Sequence, residues 1–497
     1  MSVESLILIA SALILLLFSA RLFVLIGFCT VLSSVLFLDD ITWLGPEGMD
    51  FGESMRKITD KHPLLAIPFF VLSGSIMSRG AIADRLIGVA RSLFSGIPGG
   101  LGIATVLACM FFAAISGSSP VTVITIGGVM YPALVAAGYS ERFAIGLVTS
   151  AGTLGILIPP SIPMIIYGIF ASEATAPIKS EELFLAGVGP GLLIGLFFSI
   201  YCFFVGWRRG ERFKRYDEPI LERLIEGFWS LMLPVIILGG IYSGLFTATE
   251  AAAVSVLYSV FVEVWVHRSL TLEDLPSVIG EATVLMGSLL VIFVMAVGLN
   301  DLITDLEVAD QVVAWIKRQD LTPITFMLVL NLFLLLVGCV MDIMSAIMIL
   351  VPLLAPMAVA YGIDPIHLGI VFIVNLELGY LTPPMGLNLF VSTSLFNKPL
   401  GSVIRSVLPT LALLALALVC VTYIPSIALG PLNLKEGRSV YVEFPSPDSE
   451  KTVRKSKVKS IRELMQSSDI TEDEDLKALN EELEGLDDED DDEDDDE

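Results

Sequence analysis

Long runs of apolar residues, separated by short polar connectors, cover almost the whole chain. They approach or exceed the roughly 17 residues that an α-helix needs to cross a bilayer. About a dozen runs are present, at residues 5–18, 22–38, 101–115, 121–137, 143–170, 183–206, 228–246, 250–266, 282–299, 325–361, 366–396 and 403–429. A transmembrane β-barrel would alternate polar and apolar positions instead. The pattern therefore predicts an all-α polytopic membrane protein.

A short pattern appears twice in the chain, each time inside an apolar run. The first copy is Leu154-Gly155-Ile156-Leu157-Ile158-Pro159-Pro160, and the second copy, 224 residues later, is Leu378-Gly379-Tyr380-Leu381-Thr382-Pro383-Pro384. The same offset relates Pro132 to Pro356, Gly138 to Gly362 and Gly74 to Gly298. Broken segments at matching positions of two halves indicate a secondary transporter with its site at the repeat interface. We favour inverted repeats, because alternating access is readily built from halves related by an axis in the membrane plane.

Four places in the apolar runs are predicted to be non-helical. They are 116–120 (Ser-Gly-Ser-Ser-Pro), 150–155 leading into Pro159-Pro160, 338–342, and 375–379 leading into Thr382-Pro383-Pro384. Inside a bilayer, non-helical backbone survives only where it is buried in protein or lines a cavity. The first and third places are therefore predicted to be tips of re-entrant hairpins, and the second and fourth to be breaks within helices.

Oxygen atoms at these four places suit a hard cation such as Na⁺, which binds an array of oxygen ligands. One cation site per half is predicted, formed by Ser116, Ser118, Ser119, Gly152 and Gly155 in the first half and by Asp342, Gly379 and Thr382 in the second. Substrate contacts are assigned to Ser119, Thr153, Pro160 and Asn388. Because no arginine falls within the hairpins or breaks, half-helix N-termini would have to attract an anionic substrate. The alternative is that the small residues only allow close helix packing.

Three carboxylates in or beside apolar runs leave alternatives open. Asp342 stands alone in its run, which makes it a functional candidate, although a role as a hairpin cap would explain it too. Glu377 and Glu250 could each be functional, satisfy a backbone break or lie near a membrane face.

Composition changes this picture mainly at the C-terminus. The 497 residues are 55% hydrophobic, and the formal net charge is −25. Residues 441–497 hold 23 acidic and 7 basic residues and so supply most of that charge. Such a segment is predicted to be disordered, either as a solvated tail or as a partner-binding one.

Other side chains exclude several kinds of chemistry. The five cysteines lie in apolar runs without metal-ligand spacing, and the three histidines are scattered, so neither a disulfide framework nor a transition-metal site is expected. No GxxxxGK[ST] motif is present. Energy would therefore come from an ion gradient or from another subunit, and no nucleic-acid partner is expected.

A basic connector divides the chain into two halves. Arginines and lysines cluster between residues 208 and 215, and the positive-inside rule places this loop in the cytoplasm. The predicted units are N-terminal scaffold helices (1–50), a first transport repeat (51–206), the connector with scaffold helices (207–274), a second transport repeat (275–434) and the acidic tail (435–497). Glu4 and the lack of a basic n-region indicate a retained first helix rather than a cleaved signal.

The motifs together resemble one family, the large membrane subunit (DctM-like) of tripartite ATP-independent periplasmic (TRAP) transporters, over about residues 1–430. The matching segments are 66–74 (AIPFFVLSG), 115–119 (ISGSS), 152–161 (GTLGILIPPS), 244–253 (GLFTATEAAA) and 381–390 (LTPPMGLNLF). Ala248 stands where the family usually has proline, which would relax the start of a helix, and the acidic tail is outside the family pattern.

The resemblance implies an elevator-type, Na⁺-coupled importer in the bacterial cytoplasmic membrane, with two Na⁺ sites where hairpin tips meet broken helices. It would work with a small four-helix membrane subunit and a periplasmic substrate-binding protein. The cargo would be an organic anion, such as a C4-dicarboxylate, a sialic acid or another carboxylate. No fused small subunit is expected, since the sequence begins directly with the large-subunit pattern.

Three other functions remain open at this stage. The nearest is a self-sufficient Na⁺/dicarboxylate symporter of similar architecture. A non-transporting membrane scaffold or receptor would have no need for hydroxyl-rich breaks in both halves. An intramembrane hydrolase would need a nucleophile and a base on facing helices, and no convincing Ser–His or paired-Asp arrangement lies in the apolar runs. An enzyme is therefore not expected.

Overall fold

The structure is a computed structural model, and it describes residues 61–210, 220–305 and 321–445 apart from 95 and 385, with a few isolated positions nearer the N-terminus and residue 311. Its described part is helical and contains no strand. The helices are α1 (Ala66–Arg79), α2 (Ile82–Phe94), α3 (Gly100–Ser116), α4 (Ser119–Ala136), α5 (Glu141–Ala151), α6 (Ile162–Ala174), α7 (Ser180–Arg208), α8 (Ile220–Tyr242), α9 (Ala248–Phe261), α10 (Leu275–Asp305), α11 (Pro323–Gly338), α12 (Ile343–Ala360), α13 (Pro365–Gly379), α14 (Leu387–Phe396), α15 (Leu400–Tyr423) and α16 (Ser426–Lys435).

The predicted all-α membrane fold is confirmed. Seven of the described helices are long and apolar enough to cross a membrane, and an eighth span is possible if the bent pair α1–α2 counts as one. Several shorter apolar helices end at the interruptions that the sequence predicts. Residues 325–361 form two helices separated at 339–342, and residues 366–396 form two helices separated at 380–386. The predicted N-terminal helices lie outside the described residues apart from isolated positions, and so does the acidic tail from residue 446 on. The first residues of the predicted tail are described and are not disordered, since Val442 exchanges hydrogen bonds with Ser426 of α16. The domain boundaries stay a prediction.

The order of elements in the first half recurs in the second at the sequence offset. Hairpin α3–α4 covers 100–136, and hairpin α11–α12 covers 323–360. Each hairpin is followed by a glycine with positive φ, Gly138 at +85° and Gly362 at +71°, a backbone conformation that favours glycine. The Pro159–Pro160 and Pro383–Pro384 peptide bonds are both cis. Helical elements thus follow the same register that the sequence motifs define.

The two halves pack into each other through matching pairs of helices. Helix α4 packs against α14, and its counterpart α12 packs against α6; likewise α5 packs against α15, and α13 against α7. Buried hydroxyls join the halves, since Thr149 and Ser392 lie 2.7 Å apart and Ser150 and Thr410 lie 2.6 Å apart. The breaks in both halves therefore belong to one continuous core.

A buried carboxylate fixes the bend between α1 and α2, which meet at 71°. Glu263, in a π-helical turn at the end of α9, accepts hydrogen bonds of 2.9 Å from the backbone N–H groups of Ala81 and Ile82 and another from the Ser269 hydroxyl. These bonds satisfy N–H groups at the start of α2 that would otherwise have no partner. Glu263 thereby ties α9 to the bent helix pair.

The start of α9 is well capped, although Ala248 stands where the resembling family usually has proline. Thr247 and Glu250 form a reciprocal capping box, which assigns Glu250 to satisfying the backbone rather than to an ion site. The Ala248 N–H donates to Glu181 Oε1 at 3.1 Å. A proline at this position has no N–H to donate, so Ala248 allows a bond between α7 and α9 that proline could not form.

Candidate functional site

The first hairpin turns over a compact cluster of oxygens. Helix α3 ends at Ser116, Gly117 has a φ of +57°, and Ser118 is extended before α4 begins. Ser116 Oγ lies 3.1 Å from Thr122 Oγ1, and Thr122 Oγ1 donates to the Ser118 carbonyl at 2.8 Å. Two hydroxyls and one carbonyl therefore meet at the tip. Thr122 was missed by sequence analysis, although its position four residues after Ser118, one helical turn away, is a usable signal.

The first break lies directly against this tip. Helix α5 ends at Ala151, and Gly152–Ile156 form a 3₁₀ turn that packs on α4. A Cβ added to Gly155 would lie 2.6 Å from both the Ser118 carbonyl oxygen and Thr122 Oγ1. Gly152 packs against Val123 in the same way. The structure therefore brings the predicted tip and break into contact, and the glycines allow that contact.

Thr153 and Pro160, the other two residues of the first half predicted to contact substrate, differ in their surroundings. The Thr153 hydroxyl donates to the Ser150 carbonyl at 2.7 Å and is fully buried, so its proton is used within its own turn. Pro160 lies at the tip, because its carbonyl oxygen would be 3.2 Å from a Cβ on Gly117.

The second tip is held by a carboxylate. Asp342 is the N-cap of α12: its Oδ2 accepts from the Ser345 N–H at 3.1 Å, and its Oδ1 accepts from the Ser345 hydroxyl. The Ile343 N–H donates to the Tyr380 hydroxyl at 3.2 Å. Tyr380 lies in the second break, so this bond joins tip and break in the second half. Ser345 and Tyr380 were not among the predicted site residues.

The second break also packs tightly on its hairpin. A Cβ on Gly379 would lie 2.5 Å from the Gly338 carbonyl carbon. Thr382 Oγ1 donates to the Leu378 carbonyl at 2.7 Å. All three predicted cation-site residues of this half, Asp342, Gly379 and Thr382, thus lie in one tip-and-break unit, but Asp342 also acts as the helix cap that sequence analysis kept as its alternative role.

One hydrogen bond joins the two units. Asn388, near the start of α14, donates through Nδ2 to Ser119 Oγ at 2.6 Å, and both side chains are fully buried. The Asn388 Oδ1 is buried without a hydrogen-bond partner. Ser119 starts α4, so a half-helix N-terminus, a hydroxyl and an amide meet here. This pair brings together two of the four residues predicted to contact substrate.

The oxygens described at the two contacts between tip and break belong to neutral groups and to one carboxylate, that of Asp342. No group of three or more His, Cys, Asp or Glu side chains that could hold a metal ion occurs in the part of the chain that the structure describes. Cys109, Cys202, Cys339 and Cys420 are free thiols. Such chemistry suits a hard, weakly held cation rather than zinc or iron.

A bundle of membrane-spanning helices with paired hairpins and broken helices defines a multi-pass membrane transporter. Solved structures share this fold: the YdaH transporter of Alcanivorax borkumensis superposes with a TM-score of 0.63 at 15% identity, covering 85% of this chain and 99% of that chain. The family model of the "Tripartite ATP-independent periplasmic transporter, DctM component" matches residues 7–427. The chain therefore belongs to the DctM family of TRAP transporter large permease subunits, which confirms the resemblance seen in the sequence.

The names of related proteins state different substrates. The C4-dicarboxylate TRAP transporter large permease protein DctM of Pseudomonas aeruginosa is 44% identical over 76% of this chain and 87% of the relative. The sialic acid TRAP transporter large permease protein SiaM of Vibrio cholerae is 36% identical over 81% of this chain and 93% of the relative. These relatives are transporter permeases and not enzymes, and the chain is a multi-pass protein of the inner membrane.

Proposed function

We propose that this chain is the large membrane subunit of a Na⁺-coupled importer of an organic anion. It works with a small four-helix membrane subunit and a periplasmic substrate-binding protein, as members of its family do. The observation that carries the proposal is the contact of each hairpin tip with the broken helix of its own half, Gly155 on Ser118 and Gly379 on Gly338. Backbone freed from helical pairing at such contacts can coordinate ions without exposing polar groups to lipid.

The oxygens of the first tip fit a Na⁺ ion. Ser116 Oγ, Thr122 Oγ1 and the Ser118 carbonyl already converge, and the 3₁₀ turn from Gly152 to Ile156 adds backbone carbonyls beside them. A Na⁺ ion would take up lone pairs that hydroxyl hydrogen bonds leave free. In the second half, Asp342 and Thr382 supply a carboxylate and a hydroxyl near the Gly379 turn.

Replacing Asp342 separates its role as a helix cap from its role as an ion ligand. Asparagine caps helices about as well as aspartate, whereas alanine costs about 1 kcal/mol. We expect Asp342→Asn to keep the melting temperature of the purified protein and to raise the half-saturating Na⁺ concentration about tenfold, because a charged ligand is lost. Asp342→Ala should show both effects. Unchanged Na⁺ dependence in Asp342→Asn would reduce Asp342 to a cap.

The Asn388–Ser119 pair fits recognition of an anion. Its amide is bonded through Nδ2 in the structure, and rotation by 180° would let Oδ1 accept from the serine hydroxyl and present the NH₂ group to a carboxylate. The N-terminus of α4 at Ser119 adds the partial positive charge of a helix start. An anion held here contacts both halves at once.

Contacts at the helix ends support an inverted arrangement of the halves. Arg209, beside the cytoplasmic connector, lies over the Tyr139 ring, just before α5 begins, so α5 starts on the cytoplasmic side. The counterpart helix α13 starts at Pro365, whose carbonyl accepts from Tyr167 in α6. Helix α6 follows the first break and runs away from the cytoplasmic connector. Because the start of α13 contacts α6, α13 starts farther from the cytoplasm than α5 does.

We further propose an elevator-type cycle. Na⁺ binding orders the two tips, the anion then binds between them, and the hairpins and broken helices move together against the scaffold helices. Reciprocal linkage requires Na⁺ to raise the affinity for the anion by the same factor by which the anion raises the affinity for Na⁺.

Uptake into proteoliposomes tests the proposal directly. The chain is reconstituted with and without its small subunit and binding protein, under an inward Na⁺ gradient, and offered radiolabelled C4-dicarboxylates, sialic acid and other carboxylates. We expect uptake only when all three components and Na⁺ are present. Uptake by this chain alone would identify a self-sufficient symporter instead. No uptake of any carboxylate in either arrangement would contradict the proposed substrate class.

A further inference from the structure

Two glutamates are fully buried in the described residues, and their surroundings differ sharply. Glu263 and Glu377 are each 0% exposed. The Glu263 carboxylate accepts hydrogen bonds from Ala81, Ile82 and Ser269. Neither carboxyl oxygen of Glu377 has a hydrogen-bond partner. The protein thus shows at Glu263 how it stabilises a buried carboxylate with its own donors, and it supplies none of them at Glu377.

No charged side chain of the packed helices compensates Glu377. Helix α13 packs against α6, α7, α11, α12, α15 and α16 and against the 3₁₀ turn of the first break. The charged residues on these helices are Glu173, Glu181, Glu182, Arg208, Arg405 and Lys435, all within about two turns of a helix end and all exposed or partly exposed. None of them forms an ion pair or hydrogen bond with Glu377 among the described residues. A buried carboxyl group in this position either holds a proton or needs a cation from outside the chain.

Glu377 lies on a different face of α13 from the second tip. Asn375 donates to Asn331 of α11, and Gly379 packs on Gly338 at the end of the same helix. Each of these residues is two positions from Glu377, which corresponds to a rotation of about 200° on an α-helix. The Glu377 side chain therefore leaves α13 on the side opposite to α11, and it makes none of the hydrogen bonds that Asp342 and Thr382 form in the second tip-and-break unit.

The position of α13 places this carboxyl in the transport core. Glu377 is two residues before Gly379, the last residue of the helix before the second break. The same helix packs against the first break. A site at Glu377 therefore places a carboxylate in the helix that adjoins both breaks.

We propose that Glu377 is the anionic ligand of a third Na⁺ site, separate from the two at the hairpin tips. One carboxylate and one Na⁺ form a neutral pair, which removes the cost of a bare buried charge, and oxygen ligands are those that this ion prefers. The inference rests on the proposed Na⁺-coupled import and adds one ion to it. Binding at Glu377 couples ion occupancy to the packing of α13 on both breaks.

The test compares Glu377→Gln with Glu263→Gln in the reconstituted complex. Both substitutions replace a fully buried carboxylate by an amide of the same shape, but Glu263 lies outside the hairpins and breaks. The number of Na⁺ ions per substrate is measured from ²²Na⁺ and substrate fluxes, together with the Hill coefficient for Na⁺. A second readout is the Na⁺-induced rise in melting temperature of the purified protein without substrate.

We expect Glu377→Gln to lower the Na⁺-to-substrate ratio and the Hill coefficient by about one, and to reduce the Na⁺-induced melting shift, while Na⁺ dependence persists. Glu263→Gln should keep the wild-type ratio and Hill coefficient. A wild-type ratio in Glu377→Gln would overturn the inference, as would a change that follows the proton gradient instead of Na⁺. Absence of any Na⁺ dependence in the wild type would instead overturn the proposed function, and the third site with it.

A variant with a shorter carboxylate side chain provides a second test if the Glu377→Gln protein does not insert into the membrane. Glu377→Asp retains the charge but moves it by one methylene, so the half-saturating Na⁺ concentration should rise about tenfold with the ratio unchanged. Wild-type Na⁺ affinity in this variant would contradict a ligand role for Glu377.

Discussion

Gly155→Ala should strongly reduce transport while leaving the protein in the membrane. The added methyl group would lie 2.6 Å from the Ser118 carbonyl oxygen and from Thr122 Oγ1, well inside contact distance, so the first break must move away from the hairpin tip. A displacement of about 1 Å in a preorganised site can reduce a rate about 100-fold. We expect Na⁺-driven uptake to fall by at least this factor, measured as initial rate per reconstituted transporter.

Gly128→Ala is the matched control. Gly128 lies in α4, the same helix that carries Thr122, but a Cβ there would meet no atom within 4 Å. Alanine is also the better helix former. This variant should transport at the wild-type rate. Near-wild-type uptake by Gly155→Ala would mean that the tip and the break are not held in functional contact, and the proposed first cation site would fail with it.

Asn388→Ala should weaken substrate recognition more than ion binding. The change removes the bond to Ser119 and leaves the serine hydroxyl buried without this partner, a loss of about 1–3 kcal/mol. If the anion binds to this pair, the substrate concentration for half-maximal uptake should rise about 10- to 100-fold. The half-saturating Na⁺ concentration, measured at saturating substrate, should change little.

Ser392→Ala tests whether the loss of any hydrogen bond between the halves raises the half-saturating substrate concentration. Ser392 lies in the same helix as Asn388, is fully buried, and lies 2.7 Å from the Thr149 hydroxyl of the other half. Its removal should cost about 1 kcal/mol of stability without raising the half-saturating substrate concentration. Equal effects of the two variants on that concentration would assign Asn388 a packing role and would contradict the proposed substrate contact.

The sequence by itself determined the membrane class, the family and the four interruptions. Apolar runs of membrane-spanning length admit few structures, because every backbone polar group must be paired inside a bilayer. Glycine and proline disfavour a continuous helix most where they cluster with other helix breakers, as at 116–120 and at Pro159-Pro160, whereas a single proline such as Pro132 stays inside its helix. The tips at Gly117 and at 339–342 and the breaks after Ala151 and Gly379 therefore fall where the motifs place them.

Only the tertiary structure decided which partners these residues have. Tyr380 joins the site because its hydroxyl accepts a hydrogen bond from the Ile343 N–H, 37 residues away, and nothing in its local sequence fixes that contact. The Ser119–Asn388 bond spans 269 residues, and Glu263 and Glu377 are both single acidic residues in apolar surroundings. One acquires three donors and the other none, because two of the donors to Glu263, the N–H groups of Ala81 and Ile82, come from a segment far away in the chain, whose position depends on how the helices pack together.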